Sequence, residues 1–127
     1  MRLTRTSGFT LIELIVVLAI IGLLLSIAAP RFSVGVDRSR EAVLRQNLKA
    51  IRSALDQYHA DTGKYADDLQ ALVSARYLRE VPLDPIVDSR AEWTIVSPPV
   101  DSQSTGVYDV RSSAQGKAGD GSAYADW

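Results

Sequence analysis

Glu13 stands as the lone carboxylate in an otherwise apolar run over residues 8–30, GFTLIELIVVLAIIGLLLSIAAP. At the centre of a membrane helix a charge costs about 2.5–3.5 kcal/mol on insertion scales. It becomes tolerable when a cation neutralises it. Elsewhere the material for chemistry is sparse. His59 is the single histidine and is expected on the polar side of a helix beside Asp61, solvated rather than catalytic. Ser112-Ser113 has no general base nearby in sequence. There is no cysteine, hence no disulfide and no thiolate chemistry. Neither a Gly-rich phosphate loop nor a His/Cys metal cluster appears. An enzyme is therefore not expected. The balance of 14 basic and 15 acidic residues, net −1, gives no electrostatic case for nucleic acid as partner.

The elements that must carry these groups begin with the apolar run. Counted from Phe9 it is about 21 residues, or ~31 Å as a helix, which matches a hydrocarbon core of ~30 Å. A domain of ~100 residues cannot easily wrap such a helix on all sides. Arg2 and Arg5 in front give it the look of a secretory signal. Against that, Ala28-Ala29 is followed by Pro30, a poor cleavage context, and the helical pattern continues beyond. Arg31, Arg38 and Arg40 follow the run, so the positive-inside rule does not orient it.

Pro30 lacks a backbone donor and is expected to kink or locally melt the helix. Leu44, Leu48, Ile51, Leu55 and Tyr58 then recur at 4, 3, 4, 3 spacing, the stripe of an amphipathic helix. Asp61-Thr62-Gly63 is a stop signal. Residues 9–60 thus read as one helix of about 50 residues, ~75 Å long. Residues 66–73 read as a short second helix, with Asp67 as cap and Gln70 closing the box. Val81-Pro82-Leu83-Asp84-Pro85 is an extended connector. Residues 92–96 and 106–111 alternate and are β-branched or aromatic, so they read as strands, with a third short one expected. The fold class is α+β: a long helix packed on a small antiparallel sheet, with a short second helix and a C-terminal loop. Residues 112–126 have the composition of a disordered tail, yet Tyr124 and Trp127 want something to pack on.

Two sets of motifs carry a resemblance. Ser7-Gly8-Phe9-Thr10-Leu11-Ile12-Glu13, with a basic leader before and an apolar run after, resembles the processing site of type IV pilin-like proteins. Tyr58, Asp61-Thr62-Gly63-Lys64-Tyr65, Leu69-Gln70-Ala71-Leu72-Val73, Tyr77-Leu78, Pro82-Leu83-Asp84-Pro85, Tyr108-Asp109-Val110 and Ser112 follow in order. Together they resemble the major pseudopilins of type II secretion. The chain departs from that pattern at Ala66, where proline is usual, and at Ile86-Val87, where Trp-Gly is usual.

The resemblance implies a leader, residues 1–8, cut by a prepilin peptidase between Gly8 and Phe9, with methylation of the new terminus. Residues 9–30 would be the membrane and assembly half of the helix, and residues 31–127 a periplasmic domain. The protein would cross the inner membrane once, N-terminus cytoplasmic, and form a periplasmic filament when assembled. Phe9, Glu13 and Pro30 are the implied assembly residues. Glu13 would meet the Phe9 amine of a neighbour, offsetting its burial and fixing register; in the lone subunit it could instead snorkel to the headgroups. Partners would be further copies in a homopolymer, other pseudopilins and an inner-membrane assembly platform. The other readings are a type IV pilin or minor pilin of an extracellular fibre, and a membrane-anchored periplasmic enzyme or binding protein.

The resemblance also implies calcium in the loop after the last strand, held by aspartates and backbone carbonyls. Calcium takes six to eight oxygens. Where Ala-Asp-Gly is usual, this chain has Ala114-Gln115-Gly116, and Gln115 offers a carbonyl oxygen without charge. Asp120 and Asp126 are the candidate carboxylates, with Gly116, Gly119 and Gly121 free to turn carbonyls inward. The expectation is a weak site. The competing expectation is a loop held by Tyr124 and Trp127 with no ion.

Overall fold

A computed structural model describes Arg5 and residues 7–127. Arg2 of the basic leader lies outside the described residues. The elements run α1 (Leu11–Thr62), α2 (Leu69–Ser74), β1 (Trp93–Val96) and β2 (Asp109–Ser112), with 3-10 turns at Val100–Ser102 and Tyr124–Asp126. The architecture is α+β. The chain divides into two compact units between Val36 and Asp37.

The first unit is the apolar half of α1. Its leucines, isoleucines and valines are exposed, from Leu11 to Val36. Every backbone donor beyond the first turn can be satisfied within a helix, which is what lets such a segment enter lipid. One window of α1 is long and apolar enough to cross a membrane, and none of it is buried. Helical conformation continues through Pro30 without local melting, so α1 is one helix, as the sequence pattern predicts. Two hydroxyls bond back to the preceding turns, Ser26 to the Gly22 carbonyl (2.8 Å) and Ser33 to that of Pro30 (3.0 Å).

The second unit owns the core. Leu44, Leu48, Ile51 and Leu55 are buried and Tyr58 packs against them, as the stripe predicts. Ala54 joins them from the same helix. The stop signal also behaves as expected: α1 ends at Thr62. Gly63 then takes a left-handed φ of +69°, with its N–H bonded to the His59 carbonyl (2.8 Å).

Helix α2 starts later than expected and uses a different cap. Asp68, not Asp67, is the N-cap, and its carboxylate accepts from the Ala71 N–H at 2.7 Å. The cause lies upstream. Ala66 is buried and bridges Val107, which accounts for its extended backbone and delays the helix. The Val107 N–H reaches the Ala66 carbonyl (2.8 Å) through a very close approach at Gly106. A Cβ there would lie 2.6 Å from that oxygen, and φ is +120°, so glycine is required.

Strands β1 and β2 pair antiparallel, Trp93 opposite Ser112 and Val96 opposite Asp109. Among the described residues no third strand forms; in its place are isolated bridges between Ala66 and Val107, Asp84 and Ser89, and Lys117 and Ala123. Arg52 ties α1 to β2, donating to Asp109 Oδ1 (2.7 Å) and the Val110 carbonyl (2.9 Å). The proline-rich connector is pinned by Asn47, which donates to the Leu83 carbonyl (2.6 Å), and by the Trp93 indole on Pro82 (3.0 Å).

Asp84, fully buried, accepts from the Ser112 hydroxyl (2.5 Å) and from the Ile86 N–H (2.9 Å). Thus the Ile86-Val87 departure still closes a turn on the aspartate. The C-terminal run is a packed structure, with Ala114 and Ala118 buried and Tyr124 and Trp127 against the core.

Candidate functional site

Gly8 and Phe9 precede the first helical residue and are both exposed, Phe9 by 84%. The bond between them therefore lies in non-helical, accessible chain. One residue on, Thr10 caps α1. Its hydroxyl accepts from the Glu13 N–H (3.2 Å), and the Glu13 carboxylate accepts from the Thr10 N–H (3.3 Å). The Thr10 carbonyl takes the first helical bond, from Leu14 (3.2 Å). This is a reciprocal capping box, two otherwise orphan donors satisfied by two side chains. The positive end of the helix dipole favours a carboxylate at the same place. Glu13 is thus held inside its own chain. The spacing Thr-x-x-Glu is itself the signal for this arrangement, and reading Glu13 only as a partner for an amine leaves Thr10 out.

His59 is half-buried. Its ring stacks on Tyr65, centroids 4.2 Å apart and 7° from parallel, and Nδ1 is buried without a partner among the described residues. Tyr65 in turn meets Tyr108 edge-on. Ser112 faces a carboxylate, Asp84, but both are buried and no imidazole joins them.

The C-terminal segment is docked on α1 by two residues one helical turn apart. Glu41 Oε1 accepts from the Gly119 N–H and from the Tyr124 hydroxyl, both at 2.9 Å. Arg45 Nη2 donates to Asp120 Oδ2 at 2.9 Å, and its guanidinium lies 3.8 Å over the Trp127 ring. The other Asp120 oxygen accepts from the Ser122 hydroxyl (2.5 Å) and N–H (2.9 Å). The Trp127 indole donates to the Ser122 hydroxyl (2.8 Å) and meets Tyr124 edge-on. The hydrogen bonds from Ser122 hold the Asp120 carboxyl below its usual range, and Arg45 adds to this. Burial, and then the bond to Glu41, push the Tyr124 phenol up.

These residues do not fit a calcium ion. Both Asp120 oxygens already accept hydrogen bonds, and the cation beside them is a guanidinium. Asp126 sits in the final 3-10 turn and Gln115 is exposed; neither shares these contacts. Among the described residues no three of His, Cys, Asp or Glu converge as metal ligands.

Against known proteins, residues 3–29 match the prokaryotic N-terminal methylation motif. The type II secretion system core protein G of Pseudomonas aeruginosa is 34% identical over 101 residues, 67% of this chain and 71% of that protein. The core protein G of Klebsiella michiganensis is 32% identical over 114 residues, 77% of this chain and 78% of that protein. The type IV major pilin protein PilA of Myxococcus xanthus is 43% identical over 63 residues, which is 50% of this chain but 29% of that protein. No solved structure matches the chain.

Proposed function

The chain belongs to the family of type II secretion system core protein G, and we propose that it is the structural subunit of a pseudopilus. One observation carries this reading. The second unit closes its own core, while the first leaves an entire apolar helix surface uncovered. Such a surface needs lipid before assembly and neighbouring subunits after it. The subunit is anchored by one membrane crossing, N-terminus cytoplasmic and second unit periplasmic. A prepilin peptidase cuts between Gly8 and Phe9. Copies then associate through Phe9, Glu13 and the helix around Pro30, together with other pseudopilins on an inner-membrane platform, to help drive export across the outer membrane. The subunit does no chemistry itself: its histidine is stacked on Tyr65, and the Ser112–Asp84 pair is buried.

A type IV pilin fibre would use the same N-terminal physics. The match to PilA spans less than a third of that protein, whereas the matches to core protein G span over two thirds, which favours the pseudopilus.

Two measurements test the reading. Mass spectrometry of the membrane-extracted protein should find a chain starting at methylated Phe9. An intact Met1, or a cut after Ala29, overturns it. Glu13→Leu should insert in the membrane at least as well as wild type, since the desolvation cost is gone. It should fail to form filaments or support secretion; normal secretion would remove the assembly role of Glu13.

A further inference from the structure

We propose that the C-terminal segment is fastened to α1 by a metal-free clasp in which the Arg45 guanidinium takes the role of a bound cation, making this subunit indifferent to calcium. Asp120 has its two oxygens directed at Arg45 and Ser122, so its negative charge is already neutralised at 2.9 Å by a cation on the same chain. A calcium ion would have to compete with that guanidinium and with Ser122 for the Asp120 carboxylate.

The segment turns back on itself without metal: the Ala118 N–H bonds the Ser122 carbonyl (2.8 Å), the Gly121 N–H bonds the Ala118 carbonyl (2.9 Å), and Lys117 bridges Ala123. Gly121 supplies the positive φ of the turn, +86°. The carbonyls that would face an ion are thereby partly spent on the chain itself. Arg45 touches Asp120 near the middle of the segment and Trp127 at its end, while Glu41 one turn earlier holds Gly119 and Tyr124. Two adjacent helix positions therefore grip both the turn and the terminus. An exposed ion pair alone is worth little, but here the same guanidinium also stacks on an indole, and the partner aspartate is fixed by Ser122.

The test uses the full-length protein in detergent micelles. Thermal midpoints of the wild type should coincide in millimolar calcium and in chelator. A midpoint that rises with calcium as RT ln(1 + [L]/Kd) overturns the proposal. Arg45→Met keeps the aliphatic stem on Trp127 and removes the charge. Amide hydrogen exchange over residues 114–127 should then quicken about five- to tenfold, with α2 and β1 unchanged. Asp120→Asn, which keeps the size and the Ser122 bonds, should quicken the same amides, and the two changes together should add little more. Unchanged exchange over residues 114–127 in both variants also overturns the clasp. None of these readouts depends on filament assembly, so they stand or fall apart from the pseudopilus reading.

Discussion

Both halves of α1 carry leucine and isoleucine in quantity, and they use them in opposite ways. From Leu11 to Val36 these side chains face outward on every side of the helix. From Leu44 to Leu55 they line one stripe and vanish into a core; Leu44 and Ile51 are 0% exposed. The contrast teaches where each half gets its stability. The C-terminal half is held by burial against its own chain. The N-terminal half has no such partner and draws its stability from whatever surrounds it, lipid or another helix.

The sharpest way to break that contrast is a matched pair of truncations. Leu48→Ala should destabilise the second unit by about 2–5 kcal/mol, since it empties a closed core. Leu24→Ala should leave the same transition within about 0.5 kcal/mol, as an exposed change does. Both are read from near-UV thermal unfolding in micelles. Equal shifts would mean that the apolar half is not independent of the core.

The caps give a smaller version of the same test. Asp68→Ala removes the α2 cap and should cost about 1 kcal/mol in that transition. Thr10→Ala removes half of the capping box and should leave the transition where it is. Its effect should appear locally, as faster hydrogen exchange at the Glu13 amide.

The smallest effect is acid sensitivity of the second unit. Asp120 titrates below its ordinary value of 3.8 in the folded chain, because Ser122 and Arg45 favour its charged form. The stability it contributes is therefore present above 3.8 and is lost as pH falls through the lower folded value. Exchange over residues 114–127 should quicken in that window in the wild type, and should not do so in Asp120→Asn. Tyr124 works at the other end: its phenol is raised above 10.0, so its contribution holds below that pH and fades as pH climbs through the raised value.

Much of this was legible in residue order. The 4, 3, 4 spacing of Leu44, Leu48, Ile51 and Leu55 states a buried face, and Gly63 states where a helix must stop. Features that depend on residues distant in sequence were not legible. The α2 cap moved to Asp68 because Val107, far along the chain, claims Ala66 for a bridge. His59 is half-buried because Tyr65 folds back to stack on its ring. The tail reads as disorder because its composition is polar and small. It orders because Glu41 and Arg45, more than seventy residues earlier, present an acceptor to Gly119 and a cation to Asp120. The capping box differs: Thr10 and Glu13 are three apart and could be read directly.

That box lies wholly on the C-terminal side of the bond between Gly8 and Phe9. Cutting there would leave both of its hydrogen bonds in place and change only the electrical state of the helix end. Before the cut, residues 9–13 carry one negative charge. After it they become a zwitterion, an ammonium one turn from a carboxylate that is already oriented. Methylation leaves that ammonium cationic. A zwitterion has no net charge to hold it in the membrane or expel it. Processing would then act as a change of sign at a finished surface, readying the helix end to exchange lipid for a neighbouring chain without refolding.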